Sequence, residues 1–380
     1  MSAERKTFRS ALRVVLALLS LIAHHSSFSA SAAAAPPLAP AQGVQTTPEI
    51  VHLGKVLFFD RRLSSNGTIA CADCHQPARG FSDPFPVALG LTLADRTRPA
   101  GTRRSPTIIN VAYAPLLFRD GRTSGNVTLE GHRFPVGTSA LANQALLPLE
   151  NPLEMGQQTV GQVVARLRQI PGYRRLFSEA FGPGADNQSP IDRNRLGVAI
   201  AQFEMTVLSF GAPIDDRLAG NVKALSTKAE IGLALMQKAR CFACHAEPHF
   251  TTFGFANNGM LFASHPGEGF GQLDQGRAGV SGREQDRRKF KIPTLREVAR
   301  RAPYGVDGRL PNLSAVVRHY NRGGVRPDGS GPSAGTRDPR MSQLIQLQGW
   351  SAEQAECVEV CLREAFASPN YPLVEKPKLP

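Results

Sequence analysis

Two short stretches of the 380-residue sequence hold the residues best suited to chemistry: Cys71-Ala72-Asp73-Cys74-His75 and Cys241-Phe242-Ala243-Cys244-His245. Each reads C-x-x-C-H. Two thiols at this spacing can add across the vinyl groups of a haem, and the histidine directly after them is then placed as the proximal iron ligand. Other uses of paired thiols fit less well. A zinc ribbon joins its pairs over roughly 15–20 residues, whereas these pairs lie about 170 residues apart. A redox dithiol has no need of a histidine directly after its second cysteine. The expectation is two covalent haem c groups in two pockets, held by Cys71, Cys74, Cys241 and Cys244, with His75 and His245 on the iron.

Haem of this kind is attached outside the cytoplasm, and the N-terminus agrees. Arg5, Lys6, Arg9 and Arg13 precede an apolar run at 14–23, followed by the small residues Ala30, Ala32 and Ala35. This is the pattern of a secretory signal peptide over 1–35. The run falls short of the roughly 20 apolar residues of a membrane helix, and no later segment approaches that length. A cleaved signal and a periplasmic protein without a membrane span are expected; a retained N-terminal anchor is the alternative. The formal charge of +13 becomes about +10 once four basic residues and Glu4 leave with the signal. The charge is dispersed, with no long basic block, so nucleic acid is not an expected partner. Such a surface attracts an acidic protein partner, or serves general solubility.

The elements that must position the two motifs are mostly helical. Residues 36–47 read as a flexible leader rich in Pro, Ala and Gln. Helical periodicity is clear at 160–167, 196–208 and 227–239, and a further helix is expected over 351–366. Thr227 with Glu230, and Ser351 with Gln354, resemble capping boxes. Strand-like alternation is scarce. Gly- and Pro-rich connections run through 76–106, 121–142, 182–192 and 323–340. The fold class is mainly α, and the length implies two domains. Their junction is placed near 211–216, giving a first haem domain over 48–212, a second over 213–368 and a tail over 369–380. Cys357 and Cys361 sit four apart on one helix face. That spacing suits a disulfide poorly, leaving two buried thiols or a strained bridge.

Around these motifs the chain resembles the bacterial di-haem cytochrome c peroxidase and MauG family. The resemblance rests on LGKVLFFDRRLSSNGTIACADCH, RRSPTIINVAY, PLENPLEMG, ALSTKAEIGLALMQKARCFACH, FKIPTLREVA, APYGVDG and LSAVVRHYNRGG, in that order. It implies two cytochrome c-like domains with one haem each, packed so that the haems are neighbours. The His75 haem would react with hydrogen peroxide on an open or weakly ligated distal face. The His245 haem would be six-coordinate and serve electron transfer or charge storage. Glu154 matches the family's distal glutamate and Gln144 its distal glutamine. A carboxylate there can move the proton that peroxide cleavage requires, and burial would raise its pKa toward a useful range.

Where the family's peroxidases usually place an axial methionine, the count from Leu313 reaches Tyr320. MauG carries a tyrosine as the sixth ligand of its second haem, and phenolate favours the ferric and higher states. A packed tyrosine, with His319 or Met341 on the iron, is the alternative. Other positions also depart from the family. Arg104 stands where its calcium site has an asparagine, and Arg301 occupies another position near that site. An arginine cannot ligate calcium through its side chain, so bound calcium is doubtful and a guanidinium is a candidate substitute. Phe118-Arg119-Asp120-Gly121-Arg122 lacks the tryptophan of the family's FWDGR, and the sole tryptophan is Trp350. Inter-haem transfer then runs through another residue such as Tyr113, or directly. Residues 123–141 look inserted, as a docking loop or as a tolerated excursion. No histidine lies between His75 and Ser105 to cap the first haem; His132, His249 and His265 read as surface or structural.

The function these features imply is a MauG-like periplasmic enzyme. Peroxide would oxidise the haem pair to a high-valent state, which would oxidise a partner protein at tryptophan by long-range electron transfer. The alternatives are a cytochrome c peroxidase fed by a small cytochrome or copper protein, and a non-enzymatic di-haem carrier.

Overall fold

The computed structural model describes residues 46–123, 128–129, 132–133, 136–156, 158–184, 189–260, 274–324 and 340–380. The expected signal peptide, nearly all of the leader, and His265 lie outside these residues. Among the described residues the longer helices are α1 (Pro48–Phe58), α2 (Val136–Glu150), α3 (Val160–Arg168), α4 (Pro171–Phe181), α5 (Arg193–Met205), α6 (Pro213–Leu218), α7 (Thr227–Lys238), α8 (Leu313–Asn321) and α9 (Ala352–Glu364). Sheet is confined to two antiparallel pairs: β1 (Thr128–Leu129) with β2 (His132–Arg133), and β3 (Phe255–Ala256) with β4 (Phe290–Lys291). The fold is mainly helical with little sheet. No helix among the described residues is long and apolar enough to cross a membrane.

Capping chemistry fixes where several helices begin. Thr47 accepts a hydrogen bond from the Ile50 N–H at 3.3 Å, and Pro48 stands at the first helical position of α1, where its missing N–H costs nothing. Ser351 and Gln354 form the capping box expected at the start of α9. The other expected box is displaced. The N-cap of α7 is Ser226, which accepts from Ala229 N–H, while Glu230 pairs with Arg217 at 2.6 Å. A serine one residue earlier makes the same cap, and a neighbouring cation claims the glutamate. The expected connection over 121–142 is also partly wrong. It contains the short β1–β2 pair, and α2 is already helical from Val136, so Gln144 sits on a helix.

The buried apolar residues fall into groups that change hands between Val207 and Ala212. Leu53, Leu57, Leu149, Val163, Phe177 and Leu196 belong to the largest group of the first half. Leu233, Met236, Leu313, Val317, Cys361 and Phe366 belong to that of the second. Each half contains the same crossing of a helix that precedes its C-x-x-C-H motif with a later helix. A Cβ built on Gly54 of α1 would overlap the Ala199 carbonyl of α5, and one on Gly232 of α7 would overlap the Cys357 carbonyl of α9. Glycine at these points lets the backbones approach to a distance no side chain allows. Cys357 and Cys361 on α9 are buried free thiols, and burial pushes the Cys361 thiol up to about 12.

The two halves are tied by charge and by the C-terminus. Within the second half Arg296 and Asp215 form a bidentate pair at 2.7 and 2.8 Å, with Arg296 fully buried; the charge contact that crosses between the halves is that of Arg103 with Asp274. Arg103 bridges Asp120 and Asp274, both at 2.7 Å. Residues beyond α9 return to the first half. The Tyr371 hydroxyl donates to the Pro77 carbonyl, and Leu379 packs against the first core group.

Candidate functional site

Both C-x-x-C-H motifs fold into tight turns that present their histidines in the same way. Cys71–Cys74 is a single helical turn. Asp73 closes it by accepting from the Ala70 N–H at 2.8 Å, and His75 N–H donates to the Cys71 carbonyl at 2.9 Å. The Nδ1 of His75 lies 3.3 Å from the Phe81 carbonyl. In the second motif Arg240 adopts φ 60 ahead of the turn Cys241–Ala243, and His245 N–H donates to the Cys241 carbonyl at 3.0 Å. The Nδ1 of His245 lies 3.2 Å from the Phe250 carbonyl and 3.1 Å from the Pro293 carbonyl.

A carbonyl only accepts, so each Nδ1 carries the proton and each Nε2 keeps its lone pair for a metal. Burial drives both imidazoles down to about 4, so both are neutral, the form that binds iron. The cysteines are also held as neutral thiols. Burial pushes Cys74 up to about 12 and Cys241 up to about 11, and raises Cys71 and Cys244 as well. These residues fit two covalently held haems, with the chain supplying one imidazole to each.

A cavity with about 310 Å³ of room for water-sized molecules opens beside the second motif. It is largely apolar, and Cys241, Cys244, His245 and Tyr320 line it together. Burial pushes the Tyr320 phenol up to about 12, against a hydrogen bond from Asn258 Nδ2 at 3.3 Å. The competing side chains named from the sequence are placed elsewhere. His319 is 2% exposed, and its Nε2 lies 2.8 Å from the Asn258 carbonyl. Met341 is buried against Gly324. Neither lines the cavity. Met260, which the sequence pattern did not single out, does line it and packs in the group that includes Tyr320.

At the first motif, the distal candidates follow from one loop. Asn151 accepts from the Leu153 N–H through its side chain and from the Glu154 and Gly156 N–H groups through its carbonyl. Gly156 has φ +102, and a Cβ there would collide with Ser65. The loop is pinned by Leu91 N–H to the Glu154 carbonyl at 2.8 Å and Ser65 N–H to the Met155 carbonyl at 2.9 Å. It carries the Glu154 carboxylate close enough to Cys74 to raise that thiol. Burial holds Glu154 above the usual carboxylate range, while Arg122 and a hydrogen bond with Asn151 pull it back. Cys74 packs against the core group that contains Ala145, Leu146 and Met155. Gln144 is half-buried beside Ala145 on α2. The structure thus brings Glu154 to the first motif and sets Gln144 on the adjoining helix.

Comparison with known proteins decides the family. A model of the di-haem cytochrome c peroxidases matches residues 48–223. The methylamine utilization protein MauG of Methylorubrum extorquens is 35% identical over 281 residues, covering 74% of this chain and 70% of the relative. The chain belongs to the di-haem cytochrome c peroxidase and MauG family. It is also 33% identical to cytochrome c551 peroxidase of Nitrosomonas europaea, covering 82% of this chain and 84% of that one. A crystal structure of a MauG-like protein associated with microbial copper homeostasis superposes with a TM-score of 0.71 at 27% identity, covering 93% of this chain and 99% of that one.

As a member of this family the chain is a peroxidase-type oxidoreductase with haem cofactors, whose reaction joins hydrogen peroxide to a protein redox partner. Several positions that depart from the family pattern stand out in its geometry. Arg119, in place of the tryptophan of FWDGR, lines the second cavity, as do Arg104 and Arg301. Tyr113 stacks on His249 with centroids 4.3 Å apart, so His249 is packed in an aromatic group rather than exposed. Among the described residues no group of three or more His, Cys, Asp or Glu side chains is arranged to hold a metal ion.

Proposed function

We propose that this chain is a MauG-like enzyme of the family, taking oxidising equivalents from hydrogen peroxide and passing them over a distance to a tryptophan of a partner protein. The observation that carries this reading is Tyr320, which lines the His245 cavity while His319 and Met341 are turned to other contacts. A phenolate ligand lowers the potential of a haem where a thioether raises it, which suits storage of oxidising equivalents over simple acceptance of electrons. The bound haems supply the redox capacity of the reaction. The chain supplies proton handling and position. Glu154 accepts the proton of one peroxide oxygen and returns it to the other, so that water leaves. Gln144 offers an amide that orients peroxide or water. Each proximal imidazole is fixed by its Nδ1 hydrogen bond.

The partner is read as an exported, acidic protein, drawn by the dispersed positive charge, and the site of action as the periplasm. A cytochrome c peroxidase role is the second reading, and Met260 favours it, because a thioether also lines the cavity.

Potentiometry and EPR of Tyr320→Met and Met260→Leu separate the two. The proposal expects Tyr320→Met to raise the potential of the His245 haem and to change its ferric spectrum, with Met260→Leu close to native. The reverse pattern would assign the ligand to Met260 and the chain to the ordinary peroxidases.

A further inference from the structure

We propose that Arg104, Arg119 and Arg301 form a built-in cation between the two haem sites, holding haem carboxylates in place of a bound calcium ion. This rests on the family assignment and on the two haems, and not on which partner the enzyme oxidises. The three side chains come from both halves of the chain and line the same cavity, that of His245. Arg104 N–H donates to the Val306 carbonyl at 2.7 Å, joining the halves at this point. The Arg119 Nε donates to the Arg104 carbonyl at 2.6 Å. Arg301 packs on Gly80, where a Cβ would lie 2.6 Å from the arginine Cγ.

Among the described residues no carboxylate forms an ion pair with these three arginines. Arg104 is 4% exposed and Arg301 6%, and among the described residues the Nε of each has no hydrogen-bond partner. Burial lowers Arg104 and Arg301 to about 10 and Arg119 to about 9, and neighbouring arginines add to each. Lys291 beside them falls to about 8. The carboxylates whose charge reaches the arginines are already committed. Asp83 accepts from Phe85 N–H and Ser105 Oγ. Asp307 pairs with Arg309, and Glu297 accepts from Ser209, Ser368 and Arg300. Buried cations without compensation cost several kcal/mol, so the site is built for an anion that arrives with the cofactor. Each haem carries two propionate carboxylates, and a guanidinium fork matches a carboxylate in geometry and charge.

The same side chains shut out calcium. A hard cation needs oxygen ligands, and the backbone oxygens here are taken by guanidinium donors. Arg104 donates to the Asp83 carbonyl and reaches the Ala302 carbonyl at 3.5 Å, and Arg301 Nη2 donates to the Thr294 carbonyl at 2.5 Å.

The test uses the holoenzyme, passed through calcium-containing buffer and then desalted. Elemental analysis is expected to find substoichiometric calcium, and EGTA to leave both haem potentials unchanged. Arg301→Gln and Arg119→Gln, each loaded with haem, are expected to lower the second haem's reduction equilibrium about tenfold, a shift of 59 mV for a one-electron couple. Arg301→Lys is expected to restore much of it. One tightly held calcium per chain, with a potential that moves when EGTA removes it, overturns the proposal. So does a calcium-free protein whose glutamine variants keep native potentials. If a glutamine variant fails to load haem, the calcium content and EGTA response of the native protein decide.

Discussion

At the scale of single residues the decisive features are protonation and aim. His75 and His245 are held neutral by burial and oriented by carbonyls, so each enters the iron site with one nitrogen committed and the other free. Glu154 is a carboxylate raised by burial at the edge of the first motif. In the role of general base it must be ionised to accept the peroxide proton, so the second-order rate with peroxide falls as pH drops through its raised pKa. Glu154→Gln removes that acid limb and slows the reaction by about 10²–10⁴-fold. Stopped-flow mixing of the oxidised holoenzyme with peroxide across pH 4–8 measures both. A native rate with an intact acid limb would remove Glu154 from the mechanism.

At the scale of elements, two crossings set the frame that presents the motifs: α1 over α5, and α7 over α9. Gly54→Ala and Gly232→Ala each force a methyl into a carbonyl of the partner helix, and each is expected to cost about 1–3 kcal/mol. Thermal melts of the holoenzyme measure the loss, and a melting point equal to native for either variant would contradict the close approach. Helix α5 carries a second consequence. Glu204 is 5% exposed, its Oε2 has no hydrogen-bond partner among the described residues, and burial pushes it up to about 8. A carboxyl raised on folding binds its proton more tightly in the native state. Its contribution to stability is therefore full below the ordinary carboxylate range and is lost as pH rises toward 8. Glu204→Gln, neutral at every pH, is expected to flatten the fall of the melting point between pH 5 and 8. An unchanged slope would place the pH dependence elsewhere.

At the scale of the whole molecule, what the sequence disclosed and what it withheld have physical reasons. The two C-x-x-C-H motifs were legible from local spacing, and Glu154 and Tyr320 were singled out by an ordered string of motifs; the structure places Glu154 near Cys74 and Tyr320 on the His245 cavity, while their roles belong to the proposed function. Helices over 160–167 and 196–208 were legible from periodicity, and their ends moved by a few residues because caps compete locally. Ser226 displaced Thr227 in this way. The start of the helix at Val136 was hidden because the segment 121–142 read as a Gly- and Pro-rich connection, and packing on α5 supports it as helix. Met260 was missed because nothing in its neighbourhood marks it. It reaches the cavity only through the tertiary fold. Arg104 and Arg301 were visible as departures, but their convergence with Arg119 joins positions nearly two hundred residues apart, a property of the assembled halves. The same assembly that sets Tyr320 and His245 on one cavity and Glu154 near Cys74 makes the central claim testable in one experiment. Stoichiometric hydrogen peroxide is added to the fully oxidised protein without reductant, and visible, near-infrared and EPR spectra are recorded. Prompt loss of both ferric EPR signals is predicted by the proposed reading, in which the first haem has no capping histidine and the second takes Tyr320 as phenolate ligand, so that neither needs prior reduction. Ferric signals that persist until one haem has been reduced would contradict the account and make the chain a conventional cytochrome c peroxidase.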